Sequence, residues 1–169
     1  MANTYVKIAE YICASNQASI VFNSIPSTYT DLMLLMSAKD TGTGIVYAIK
    51  AAFNSPGTTT SKILYGAGSG SPASANQTWL RAGGTVGTFA NANNTFASST
   101  FYIPNYAGST AKSGSSDEVT EANQTDSYQV MSATLDTKTS AISSITLTSE
   151  SGGSFVTYST FYLYGISKS

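Results

Sequence analysis

The sequence predicts an all-β domain: an antiparallel β-sandwich, jelly-roll-like, of about ten strands within residues 1–169. Three observations carry that expectation. Apolar residues recur with a period of two in segments of roughly five to ten residues, separated by clusters of Gly, Ser, Asn and Pro. The composition suits a pleated sheet, with 27 Ser, 23 Thr and 11 Tyr beside Val, Ile and Phe. Charged residues make up 10% of the chain, against about 25% in ordinary soluble domains, so small hydroxyls keep the surface wet. At 169 residues one core can form without disulfides.

The segments follow in order. Tyr5 to Ile12 alternates, with Val6, Ile8 and Ile12 expected on one side and Tyr5, Lys7, Ala9 and Tyr11 on the other. Ala18 to Asn23 alternates through Ile20 and Phe22, and the segment Ser24 to Thr30 turns at Pro26, which fixes its own φ and extends its predecessor. Asp31 to Met36 is a continuous apolar run. It suits a strand covered on both faces or meeting a neighbouring subunit, with a short helix as the competing reading. After the break Thr41-Gly42-Thr43-Gly44, the residues Ile45, Tyr47, Ile49, Ala51 and Phe53 alternate up to the stop at Ser55-Pro56-Gly57.

Lys62 to Gly66 reads as a strand, and Ala67 to Asn76 as an exposed low-complexity loop. Gln77 to Arg81, a glycine-spaced piece around Val86 and Phe89, and Thr95 to Pro104 follow. Asn105 to Thr110 is a turn, and Ala111 to Ser116 a polar strand towards an edge. Ser127 to Asp136, Ser144 to Ser149, and a segment from Phe155 or Tyr158 to Ile166 complete the set. The apolar first and last strands are expected to pair with each other at the centre of a sheet, because edges usually carry charge or proline.

Composition also narrows function. A net charge of −1 supplies no field for a polyanion, which argues against nucleic acid. The opening residues lack the apolar run of a signal peptide, and no segment approaches the roughly 20 apolar residues that span a bilayer. Three sequons, at Asn76, Asn93 and Asn123, read as chance in a chain rich in Asn and Thr. Cys13, the one cysteine, reads as a buried small hydrophobe. With no histidine, the commonest general base, the Ser-His-Asp and Cys-His arrangements and most zinc sites are missing. No enzyme activity and no cofactor are expected.

Asp117, Glu118 and Glu121 form the acidic cluster. Adjacent residues of a strand point to opposite faces, so solvated loop charge is a better reading than a glycosidase pair. A calcium site from Asp117, Glu118 and Asp126 is conceivable. Gly66 to Gly70 lacks the lysine and helix of a phosphate loop. The aromatic residues give the best binding signal. Trp79, Tyr102, Tyr106 and Tyr128, with Tyr158, Tyr162 and Tyr164, could stack sugar rings, fill the sandwich, or rest at a subunit contact.

Four stretches carry a resemblance. The succession Ser19-Ile20-Val21-Phe22-Asn23-Ser24-Ile25-Pro26-Ser27-Thr28-Tyr29-Thr30-Asp31-Leu32 resembles the opening of a family of small virion proteins of tailed bacteriophages, common among phages of aquatic bacteria. Phe53-Asn54-Ser55, the stretch Tyr102 to Ser109, and the stretch Tyr158 to Ile166 are similar to its later motifs, so the likeness covers nearly the whole chain. Lys39 stands where an arginine commonly follows the apolar run, which leaves open any contact needing a bidentate guanidinium.

The resemblance implies a structural role on the particle exterior after synthesis in the host bacterial cytoplasm. The first expectation is a capsid decoration or cement protein that contacts the major capsid protein or other virion proteins, as a homotrimer on a threefold position. The alternative is a fibre or tail module that binds a host glycan, with Ala67 to Asn76 and Gly83 to Asn94 as its tips.

Overall fold

The computed structural model describes residues 4–54, 56–68, 70–88, 95–122 and 127–167. Twelve strands run through them: β1 (Tyr5–Ile12), β2 (Ser19–Phe22), β3 (Asp31–Ala38), β4 (Val46–Phe53), β5 (Thr59–Ala67), β6 (Ala73–Gln77), β7 (Leu80–Val86), β8 (Ala97–Ile103), β9 (Lys112–Glu121), β10 (Ser127–Asp136), β11 (Ile145–Ser149) and β12 (Thr160–Ile166). Eight of them form one sheet in the order β1-β12-β3-β8-β9-β10-β5-β6, and four form a second in the order β2-β11-β4-β7. Both sheets are antiparallel throughout. The expected all-β sandwich is therefore the observed class, with twelve strands in place of about ten.

Alternation builds the apolar half of the interior. Leu32, Leu34 and Met36 of β3, Phe101 and Ile103 of β8, and Phe161 and Leu163 of β12 share one buried cluster with Ile20, Phe22, Ile49, Phe53, Ile145 and Leu147 of the smaller sheet. Phe155 meets Phe161 edge to face at 4.9 Å. Each fully buried Leu or Phe in such a layer contributes about 1.5–3 kcal/mol of transfer free energy. Asp31–Ala38 is a strand, not a helix, and its apolar run has two destinations: even-numbered residues enter the core, while Met33 is half-buried and Leu35 exposed on the other face.

The other half of the interior is polar, and β7 explains it. This strand is the edge of its sheet, yet all seven of its residues are buried, because it lies against β8 and β9 of the larger sheet. Buried hydroxyls take the place of a neighbouring strand there. Gly84 N–H donates to Ser99 Oγ at 3.0 Å and Arg81 N–H to Ser61 Oγ at 3.0 Å. In return Ser132 Oγ donates to the Arg81 carbonyl at 3.2 Å and Ser61 Oγ to the Trp79 carbonyl at 2.7 Å. Backbone groups buried without such partners would be costly, so the buried serines Ser61, Ser99 and Ser132 are an interior necessity. A Cβ at Gly83 would stand 2.6 Å from that of Ser99, which is why this stretch is glycine-spaced.

Several expectations change accordingly. Gly83 is no loop tip, since Leu80–Val86 is a buried strand; Asn94 and Phe89 lie outside the described residues. Ala67 to Asn76 is not one long loop, because β5 continues to Ala67 and β6 returns from Ala73 as a hairpin partner. Lys112–Glu121 runs in the interior of the eight-stranded sheet, between β8 and β10, and not at an edge. Strands β1 and β12 do pair, but β1 is itself the edge. Its register shifts between Lys7 and Ala9, a β-bulge that turns Ile12 outwards to 53% exposure, away from the side of Ile8.

Candidate interaction surface

The inner face of the larger sheet is buried, and among the described residues its outer face is open. Strand pairing places on that face two rows of directly opposed residues. One runs Tyr164, Met33, Tyr102, Ser115, Ala133, Lys62, Asn76, and the next runs Tyr162, Leu35, Thr100, Asp117, Met131, Leu64, Ser74. Between them, over β8, β9, β10, β5 and β6, lies a groove of about 580 Å³. A second depression of about 820 Å³ adjoins it at the Gly66–Gly68 end of β5.

Large apolar side chains gather here. Among the described residues, nine large hydrophobic residues are exposed, and seven of them, Tyr5, Ile12, Leu35, Leu64, Val119, Met131 and Leu135, stand on this face by their register. Leu64 is 61% exposed and Met131 51%. Singly scattered apolar residues are normal on a protein surface, whereas a contiguous patch marks a contact site.

The charges on the face are sparse and mixed. Lys7 and Glu10 of β1 pair at 2.7 Å, and the carboxylate draws the Lys7 ammonium pKa upwards. The Asp31 carboxylate accepts from Tyr102 Oη at 2.8 Å and from the Asn105 N–H at 2.8 Å, which ties the turn after β8 to the start of β3. Asn105 there has φ 48°, a left-handed value that Asn tolerates. The hydrogen bond to Asp31 raises the Tyr102 pKa and holds the ring in place on the groove wall. Lys62 reaches Asn76 Oδ1, while the exposed Asp117 carboxylate has no hydrogen-bond partner among the described residues.

The four aromatic candidates do not come together. Tyr102 lines the groove and Tyr128 the adjoining depression. Trp79 is half-buried in the two-residue connection between β6 and β7. Tyr106 is wholly buried, its hydroxyl donating to the Pro26 carbonyl and accepting from the Tyr29 N–H at 3.4 Å, so it is a core residue and no contact for a partner. The residues that sequence reasoning passed over are Leu64, Val119, Met131 and Leu135. For Leu64 and Met131 the sequence offers a partial signal, since both phases of the strand are apolar at Ile63-Leu64 and Val130-Met131, but it does not say which phase stays uncovered; Val119 and Leu135 follow Glu118 and Thr134 and carry no such signal.

The chain matches no family model and no curated protein.

The acidic cluster behaves differently from a solvated charge. Asp117 faces outwards and Glu118 inwards, as adjacent strand residues must. Glu118 is 2% exposed and accepts from both Arg81 Nε, at 3.2 Å, and Nη2. Burial pushes its carboxyl pKa up, while the Arg81 guanidinium pulls it back. Asp117 and Glu118 thus cannot join in one calcium site, and Asp126 lies outside the described residues. Among the described residues no three of His, Cys, Asp or Glu group as metal ligands would. Cys13 is fully buried, and desolvation pushes its thiol pKa up, away from the reactive thiolate.

Proposed function

We propose that this chain is a structural component of a tailed phage particle, a decoration or cement protein that adheres to the outer surface of the shell and works by contact. The observation that carries the reading is the gathering of exposed apolar side chains on one open sheet face, in a chain whose other surfaces are mostly small and hydroxylated. The likeness to virion proteins supplies the particle, and the open face supplies the means. The acidic groups fit this reading better than a catalytic one. The cluster is split between two faces, and its buried member is engaged by Arg81.

Purified particles quantified by mass spectrometry test this reading. Decoration requires hundreds of copies per particle, and added protein should bind empty shells and raise their melting temperature. A handful of copies, or no binding to empty shells, would count against it.

A further inference from the structure

We propose that β6, the open edge of the eight-stranded sheet, pairs antiparallel with β6 of a second copy, so that two sheets join edge to edge into one. The open face takes no part in this contact and is left to the shell.

The two edges of the larger sheet differ in how they are protected. Strand β1 carries a bulge and the Lys7–Glu10 pair, both usual defences against the addition of a further strand. Strand β6 has neither. Ala73-Ser74-Ala75-Asn76-Gln77 holds no charge and no proline, its register with β5 runs without a shift, and among the described residues it pairs with β5 alone. The smaller sheet does not roof it. Ala75 shares the inner face with Ile63 directly opposite, yet Ile63 is buried and Ala75 exposed, so the interior ends at β5. The outer side of β6 thus presents backbone N–H and C=O groups to solvent, a template for one more strand.

Symmetry and side-chain chemistry point to a second copy as the occupant. A two-fold axis perpendicular to the sheet, beside Ala75, sets the two strands antiparallel, the self-complementary arrangement of a closed pair. Ala75 then faces the partner's Ala75, and Ser74 faces the partner's Asn76. No large side chain obstructs the approach. Asn76 accepts from Lys62 through Oδ1, while its amide N–H groups donate to nothing among the described residues, so they can donate to the partner's Ser74 Oγ on the open face that both share. The same axis keeps both open faces on one side of the joined sheet, and a pair meets a shell with two contact patches at once. With β1 guarded, addition stops at two copies, in place of the homotrimer that a threefold shell position would suggest. Five residues span about 17 Å, a strip smaller than a stand-alone interface, so pairing is weak in free solution and is completed where neighbouring copies are held close.

Sedimentation equilibrium of the full chain at concentrations up to about 1 mM should show a reversible monomer–dimer equilibrium. Ala75→Cys should join to its own copy through a short bismaleimide, while buried Cys13 stays unlabelled. Ala75→Lys and Ala75→Glu should each weaken pairing about fivefold by setting like charges across the axis, and an equimolar mixture of the two should pair again. Both variants should melt where the wild type does, since the side chain at 75 faces solvent. A wild type that stays monomeric at the highest concentration, a trimer, or a mixture that fails to restore pairing would each overturn the inference. Met131→Asp separates it from the decoration reading, because that variant should pair as the wild type does and lose its hold on empty shells. A monomer that binds shells, and loses them on Ala75→Lys, would show that β6 takes a strand of the shell protein, so self-pairing fails while decoration stands. A wild-type dimer that binds no shells would support self-pairing and end the decoration reading.

Discussion

A carboxylate with 2% of its surface exposed persists at neutral pH through a partner or a proton, and Glu118 has a claim on each. Arg81 supplies the partner, and burial raises the carboxyl pKa above its ordinary 4.5. A raised acid pKa means that the folded chain binds protons more readily than the unfolded one. The group's contribution to stability is then full below the unfolded value and is lost as pH rises through the folded one. Removing Arg81 leaves burial acting alone and raises the pKa further. Arg81→Met should therefore cost about 3–5 kcal/mol at neutral pH, where an uncompensated charge is buried. The deficit should shrink as pH falls towards the ordinary carboxyl value. Urea unfolding of both proteins across that range measures it, and a deficit that is flat with pH would show that the pair matters for packing and not for charge.

At the level of the strand, β7 is the element whose environment is least like its neighbours'. Gly84 lies so close to the larger sheet that a Cβ would sit 2.8 Å from Glu118 Oε1. Gly66, on the open face, would meet nothing within 4 Å. Gly84→Ala should cost about 1–3 kcal/mol by overpacking and by displacing the carboxylate from Arg81. Gly66→Ala should be neutral or gain up to about 1 kcal/mol, because it restricts only the unfolded chain. Denaturant midpoints of the two variants compare them directly.

These two glycines also mark what could be read from sequence and what could not. The strands of the apolar half, from Tyr5–Ile12 to Thr160–Ile166, announce themselves through alternation. Gly83 and Gly84 look like loop residues because glycine's absence of a side chain serves a turn and a close approach equally well, and only the facing Ser99 and Glu118 distinguish them. The hairpin of β5 and β6 was hidden for a related reason, since Ala73–Gln77 carries no apolar periodicity and is held at the edge by its pairing. Of the site, Tyr102 was visible as an aromatic residue on a strand. Leu64 and Met131 were not, because a sequence does not say which of two apolar phases remains uncovered.

The whole molecule divides along its length, with an oily half under β2, β4 and β11 and a hydroxyl-lined half under β7. The open face adds a third character, apolar but uncovered. One of its two edges is guarded, for β1 carries a bulge and the Lys7–Glu10 pair, both of which discourage a stray strand from adding on there, while β6 forms the other edge.

The hydroxyl layer beneath β7 has a calorimetric consequence. Exposing apolar surface raises the heat capacity and exposing polar surface lowers it, so an average chain of this length unfolds with a ΔCp of about 2.0–2.5 kcal/mol/K. Ser61, Ser99, Ser116, Ser132, Thr120 and Thr134 are all buried where most sandwiches bury aliphatic carbon. Scanning calorimetry should return a ΔCp below that range, and with it a stability curve of unusually gentle curvature. Such curvature means that the free energy of unfolding of this chain changes little over a wide span of temperature.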